Sequence, residues 1–317
     1  MNITIKHIEA AALRIAPFAV LTPLLASAGL AKAIGASAAY LKPEVLQVCG
    51  AFKFRGAMNR LAQLTPAQRK AGVVAFSSGN HAQGVAIAAG IVGCPAVIVM
   101  PSDAPQIKID GTRAAGAEIR LYDRYSESRE AISQAIAVER GAVVVPAFDD
   151  LDVIAGQGTI GLEIADQAAQ AGGQLDILLC PVGGGGLIAG TSLALADRSP
   201  GTQVWGVEPA GFDDTARSLA AQERLGNSSS DSTLCDSLMS PMPGLFTFAI
   251  NQETLAGVLT VTDAEVKAAM RFAFERLKLV VEPGGSVGLA AALAGKLDLS
   301  GKRVGIVLSG GNVDPGQ

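Results

Sequence analysis

Alternation constrains this chain more than any other feature. From Gly72 onward, short apolar runs recur between longer segments with helical spacing. Val73-Val74-Ala75-Phe76 is the first run, of a length that suits a buried strand. Residues 96–100, 118–122 and 142–145 read as further strands, with helices predicted over 81–91, 106–115 and 126–139. Residues 149–157 read as a loop because of their turn residues, and a domain boundary is expected there. Beyond it, strands are expected at 177–182, 204–207 and 304–308. Helices are expected at 159–171, 187–196, 263–279 and 284–294, with Asp263 placed to cap the third of these. A polar surface loop is expected at 226–232. Upstream, residues 39–42 read as a strand and 55–64 as a helix, and Pro66 opens another helical turn. Strands alternating with helices imply parallel sheets covered on both faces, so the expected fold class is α/β.

At 317 residues the chain can bury a large core and hold more than one domain. Charged residues are only 17%, which fits a compact soluble protein rather than a disordered one. The net charge of −4 leaves no basic footprint, so no nucleic-acid partner is expected. Cys49, Cys94, Cys180 and Cys235 lack metal-ligand or redox spacing, and His7 and His81 are the only histidines. A zinc site is therefore not expected, and scattered thiols fit a reducing compartment. The N-terminus lacks the pattern of a signal peptide. The apolar stretch 17–31 is interrupted by Pro23 and Gly29 and is short for a membrane span. A cytoplasmic protein with no membrane partner is expected.

The strongest chemical signal is Gly183-Gly184-Gly185-Gly186, between a predicted strand and a predicted helix. Backbone amides and the helix dipole favour an anion there, and glycines let the backbone wrap a phosphate. No Walker lysine follows and no GxGxxG spacing is present, so neither a nucleoside triphosphate loop nor a dinucleotide fingerprint fits. The second signal is Lys53, between Phe52 and Phe54. Apolar flanks lower a lysine pKa, and a lysine tuned that way can attack carbonyls and hold a Schiff base. An imine-forming lysine plus a phosphate cup implies pyridoxal phosphate. Ser309, after the last strand, is placed to meet the pyridine nitrogen. A neutral hydroxyl there favours β-elimination over transamination. Ser77, Ser78, Gly79, Asn80 and His81 open a helix that could hold a substrate carboxylate.

These motifs resemble one family. Residues 42–314 are similar to the fold type II pyridoxal-phosphate enzymes of the threonine dehydratase and serine racemase family. The resemblance lies in Ala51-Phe52-Lys53-Phe54-Arg55-Gly56-Ala57, Ser77-Ser78-Gly79-Asn80-His81 and Ala155-Gly156-Gln157-Gly158-Thr159. It continues in Pro181-Val182-Gly183-Gly184-Gly185-Gly186-Leu187, Val207-Glu208-Pro209 and Leu308-Ser309-Gly310-Gly311-Asn312-Val313-Asp314. It implies two α/β domains with the cofactor in the cleft between them. The large cofactor-binding domain would hold 1–71 and 150–317, and the small substrate-binding domain would be the insertion 72–149.

By the same resemblance, Lys53 carries the cofactor and takes the Cα proton, and Phe52 stacks on the ring. Asn80 would bond the ring hydroxyl, Gly183 to Gly186 the phosphate, and Ser309 the ring nitrogen. Ser78 would face the opposite side of the ring as a second acid or base. The carboxyls of Glu208 and Asp214 with the carbonyl of Phe212 would hold Mg²⁺ or Ca²⁺, oxygen ligands of the kind those ions take. Without a metal, Asp213 and Asp214 would simply cap a helix.

The implied reaction is dehydration and deamination of L-serine or L-threonine to a 2-oxo acid and ammonia. Serine racemase and 3-hydroxyaspartate dehydratase stay open, as does a non-catalytic amino-acid-binding protein, against which Lys53 argues. Arg129 matches an arginine that can reach a second substrate carboxylate; otherwise it is an exposed helix arginine paired with Glu127 or Glu130. The sequence departs from the family at Ala51, where many members have serine, and at Ser237, which replaces a glycine near the substrate. A homodimer is implied, and no isoleucine-sensing regulatory domain is expected after the Ser309 motif.

Overall fold

A computed structural model describes residues 3–77, 79–104, 106–123, 125–227 and 232–314. The chain opens with α1 (Ile5–Ile15), β1 (Leu25–Ala26), α2 (Ala28–Ile34) and β2 (Ala38–Pro43). Next come α3 (Lys53–Leu61), α4 (Pro66–Ala71), β3 (Val73–Phe76) and α5 (Asn80–Val92). β4 (Ala96–Pro101), α6 (Gln106–Ala114), β5 (Glu118–Tyr122), α7 (Arg129–Arg140) and β6 (Val143–Val144) continue the alternation. α8 (Leu151–Gln170), β7 (Ile177–Pro181), α9 (Gly186–Arg198), β8 (Gln203–Pro209) and α10 (Asp214–Ala221) follow. The chain ends with α11 (Leu245–Thr254), β9 (Gly257–Val261), α12 (Asp263–Phe272), α13 (Pro283–Leu293) and β10 (Arg303–Leu308).

Two sheets carry these elements. The larger has the order β1-β2-β10-β7-β8-β9, parallel except at the antiparallel β1–β2 pair. The smaller has the order β5-β4-β3-β6 and is parallel throughout. The chain leaves the larger sheet after β2, builds the smaller one and returns at β7. Parallel strands need covered faces. Accordingly α13 is buried from Pro283 to Ala292. Lys53 at the start of α3, the glycines after β7 and Ser309 after β10 all meet where the parallel strands end, the usual ligand position in open α/β sheets.

The expected loop at 149–157 is instead the start of α8, capped by Asp150, whose carboxylate accepts from Asp152 N and Val153 N. The glycines that suggested a turn serve close helix packing. A Cβ on Gly156 would lie 2.6 Å from Arg55 O, and one on Gly158 2.8 Å from Gly190 O. Asp263 does not cap α12. Thr262 does, in a capping box with Glu265, while Asp263 accepts from Thr233 Oγ1 and Leu234 N. The helix expected to reach residue 279 ends at Phe272 and runs into a π turn, Ala273–Leu277, closed by Lys278 in the left-handed region. Most of the loop expected at 226–232 lies outside the described residues.

Candidate active site

The approach to Lys53 is stitched to the end of the last strand. Ala51 forms an isolated bridge with Gly310, and Phe52 N donates to Ser309 O at 3.0 Å. Gly311 N donates to Gly50 O at 2.9 Å, and Asn312 Nδ2 donates to Cys49 O at 2.8 Å. Two segments about 260 residues apart in sequence therefore form one wall. α3 begins at Lys53 itself, and α5 presses on that turn through Gly84, where a Cβ would lie 3.2 Å from Lys53 C.

The wall faces a cavity of about 430 Å³. Lys53, Phe52, Ser77, Gly79, Asn80, His81, Arg129, Gly183, Gly184, Gly185, Gly186 and Ser309 all line it. The structure thus gathers the candidate cofactor and substrate residues around one space; Ser78 lies outside the described residues. Lys53 Nζ donates to Ala147 O at 2.8 Å and sits 5.0 Å from the centre of the Phe52 ring. Burial pushes its pKa down to about 8, although Glu282 works the other way. A fraction of free amine is therefore present near neutrality, as a nucleophile requires.

The glycine loop turns at Gly185, in the left-handed region at φ 92°, and α9 starts without a side-chain cap. Its first amides are thus left to bind an anion. A Cβ on Gly184 would run into the Phe148 ring, and one on Gly186 would lie 3.0 Å from Phe148 Cα. Beneath the loop, Thr247 Oγ1 donates to Gly184 O at 2.7 Å.

Asn80 is held on both sides. Nδ2 donates to Glu282 Oε1 at 2.5 Å, and Oδ1 accepts from Asn312 Nδ2 at 2.8 Å. His81 Nε2 lies 3.0 Å from Val145 O, and burial pushes its pKa down to about 3, so the ring is neutral. Arg129 pairs with Glu130 at 2.9 Å and lies over the Phe76 ring at 5.2 Å. These residues can hold pyridoxal phosphate: a partly uncharged, half-buried amine, an aromatic neighbour and an uncapped glycine turn.

Sequence reading missed three contributors. Glu282 is buried on the cavity wall, and burial pushes its carboxyl up to about 7. It precedes Pro283-Gly284-Gly285 and so reads as an ordinary cap. Lys108 pairs with Asp236 at 2.5 Å across the cavity, a contact that no local pattern signals. The turn 146–149 supplies Ala147 O for Lys53, Phe148 for the glycines and Asp149 as the cap of α11. Asp149-Asp150 there reads as a plain turn.

At the expected metal site, Glu208 Oε1 and Oε2 accept from Thr215 N and Ala216 N at 3.0 Å each. Glu208, rather than Asp213 or Asp214, therefore caps α10, and Asp213 pairs with Arg217. Asp214 Oδ1 accepts from Asn227 Nδ2, while Oδ2 is buried without a partner among the described residues. Burial, then Asp214, pushes Glu208 up to about 8, and burial pushes Asp214 up to about 6. Among the described residues no cluster of three or more His, Cys, Asp or Glu side chains is placed to hold a metal.

Comparison with known proteins agrees with the cavity. The chain is 46% identical to L-threo-3-hydroxyaspartate ammonia-lyase of Saccharomyces cerevisiae, over 92% of this chain and 88% of that one. It is 42% identical to serine racemase of Schizosaccharomyces pombe, over 98% and 94% respectively. Its structure superposes on the processed form of threonine deaminase isoform 2 from Solanum lycopersicum with a TM-score of 0.90 and 33% identity, covering 98% of this chain and 90% of that one. Residues 15–310 match the family described as pyridoxal-phosphate dependent enzyme. This chain therefore belongs to the pyridoxal-phosphate dependent enzymes.

Proposed function

We propose that this chain is an ammonia-lyase acting on a β-hydroxy amino acid, with L-serine or L-threonine as the first reading. The observation that carries it is Lys53, half-buried at the cavity wall with its pKa lowered to about 8. A protein that only bound amino acids would not need such an amine. When bound, pyridoxal phosphate supplies an electron sink that acidifies the substrate Cα–H. Lys53 would hold the cofactor and receive the Cα proton. Phe52 would lie against its ring, Asn80 and Ser309 would bond its polar atoms, and Gly183 to Gly186 would hold the phosphate. Ser77, Ser78, Gly79, Asn80 and His81 hold the substrate carboxylate at the start of α5. The 72–149 insertion acts as the substrate-binding domain, and 1–71 with 150–317 as the cofactor-binding domain.

A second reading is favoured by Arg129, which reaches the cavity, and by the likeness to a 3-hydroxyaspartate ammonia-lyase. Here the substrate carries a second carboxylate, and Arg129 leaves Glu130 to bind it. A panel of serine, threonine and 3-hydroxyaspartate, with keto-acid readout and chiral analysis of the amino acid, tests both readings. Arg129→Ala should remove turnover of 3-hydroxyaspartate and spare serine. Equal loss on both substrates rejects the second reading, and a racemised amino acid without keto acid rejects lyase chemistry.

Glu208, Asp214 and the carbonyl of Phe212 would hold Mg²⁺ or Ca²⁺. The orphaned Asp214 Oδ2 and two carboxyls held partly protonated by burial support that site. A homodimer is supported by exposed Val20, Leu21, Leu46 and Val48, which Gln47 brings together through its bonds to Val20 N and O. A reducing, cytoplasmic setting is supported by four free, buried cysteines. Among the described residues no helix is long and apolar enough to cross a membrane.

A further inference from the structure

Glu282 stands at the N-cap of α13, yet its side chain does not cap the helix. The carboxyl turns to the cavity, where Oε1 accepts from Asn80 and Oε2 has no partner among the described residues. The residue is only 2% exposed. Forgoing a cap and burying an oxygen without a partner both cost stability. A purely structural position would be better served by serine or aspartate.

The charges around it identify its use. Glu282 lines the same cavity as Lys53. After burial, Lys108 on α6 acts on its carboxyl most strongly and favours ionisation, Asp236 in the turn Asp236–Leu238 opposes it, and Lys53 at the start of α3 adds a smaller pull toward the charged form; the thiols of Cys49 and Cys235 also lie within its field. Lys108 and Asp236 are committed to each other. Burial pushes both thiols up to about 12, so they stay neutral. Of the other cavity carboxyls, Glu130 is matched to Arg129, and Asp149 to the amides opening α11. Lys53 donates to a neutral carbonyl and has no ion pair among the described residues. Asn312 holds Asn80 from the far side, so the Asn80 amide cannot turn away from Glu282 without losing both bonds.

We propose that Glu282 is the counter-charge of Lys53, a positioning residue that sets when that amine carries its proton. Burial brings both groups close to neutrality, Glu282 from below and Lys53 from above, and each charge favours ionisation of the other. The pair therefore exchanges charge in the range where a lysine must serve first as nucleophile and then as base.

The inference rests on Lys53 being the attachment point of the cofactor, and its test separates the two ideas. Pyridoxal phosphate is added to the full-length chain after removal of its cofactor, and capture is followed by visible absorbance as a function of pH. Capture needs the free amine; the C=N bond forms and one water leaves. In the wild type the rate should rise with a midpoint near 8. Glu282→Gln removes the charge that favours the ammonium, so the midpoint should fall by about one unit, roughly tenfold more free amine below it. Glu282→Asp draws the carboxylate back by one methylene and should shift the midpoint the same way by less. The acid limb of kcat, which reports Lys53 once the substrate amine has released it to act as base, should move the same way. An unmoved midpoint in whichever variants fold overturns the proposal; absence of capture in the wild type instead overturns the role of Lys53.

Discussion

Two charge clusters lie two residues apart on α3, and they are built on opposite plans. Arg55 is 1% exposed and bonds Glu44 through Nε and Nη2, Glu163 through Nη1 and Nη2, and Thr22, Thr159 and Val20 O besides. Lys42 closes the group with Glu163, Gln167 and Thr22 O. Burial opposes the charge on Arg55, but Glu44 and Glu163 more than offset it and raise its pKa. Lys53, by contrast, has one carbonyl partner among the described residues, and the cavity carboxyl Glu282 spends one oxygen on Asn80 while the other has no partner among them. A saturated cluster holds α3 in place, while an unsaturated one leaves an amine ready to react. The difference separates structural from chemical use of charge: Arg55 is fully buried and saturated, whereas Lys53 is half-buried and is not.

The largest effect should come from emptying the unsaturated cluster. Lys53→Ala should give a colourless protein with turnover lower by at least about 10³, since it removes the attachment point and the base together. Against the cofactor-free wild type, melting temperature should change little, because few bonds are lost. A yellow, borohydride-bleached Lys53→Ala variant would show that another amine does the chemistry. Arg55→Met should do the reverse. It strands Glu44, wholly buried, and should cost about 3–5 kcal/mol of stability, read by denaturant unfolding. If Arg55→Met lowered turnover without lowering stability, the division between the clusters would fail.

The division also explains what could be read from sequence. Lys53, the tetraglycine and Ser309 declare themselves locally, each at the end of an apolar run. The strands β3, β4, β7, β8 and β10 are legible for the same reason, because a buried parallel strand is apolar on both faces, whereas β5 is an exposed edge strand legible only by its alternation with the helices. The start of α8 is not, since its acids and glycines look like a turn until α3 and α9 are packed against Gly156 and Gly158. Glu282 and Lys108 are illegible for a related reason. Their partners, Asn80 and Asp236, are 202 and 128 residues away, so their meaning exists only in the folded chain.

Glu208 and Asp214 form an intermediate case, two carboxyls with hydrogen bonds and Arg217 nearby, but with no salt bridge to either among the described residues. Both pKa values are raised above the ordinary carboxylate range, Glu208 to about 8 and Asp214 to about 6. The folded state therefore binds more protons than the unfolded state between about pH 4 and 8, and stability should fall as pH rises through that window. A divalent cation would take the place of those protons. In chelator, the melting temperature should drop from pH 5 to pH 8. Mg²⁺ or Ca²⁺ should restore it at pH 8, where binding adds about 2.7 kcal/mol of stability at a hundredfold excess over Kd, and have little effect at pH 5. A melting temperature that ignores both cations at pH 8 would place this pair with the saturated, structural kind.

The smallest effect tests whether the turn between the clusters belongs to structure or to chemistry. Asp149 accepts from Leu245 N and Phe246 N at 2.8 Å and so caps α11. α11 in turn carries Thr247, whose hydroxyl holds Gly184 O under the glycine loop. The residue before Asp149 packs on that loop, and the one before that accepts from Lys53. Asp149→Ala should cost about 0.5–2 kcal/mol, the usual range for a lost cap. Because α11 supports the loop, part of that loss should appear as weaker retention of pyridoxal phosphate, read by dialysis, with the pH midpoint of Lys53 unmoved. Asp149→Asn, which can still accept at the cap, should recover most of the retention. Loss of stability with full cofactor retention would show that α11 does not support the glycine turn, and that the phosphate rests on the loop backbone alone.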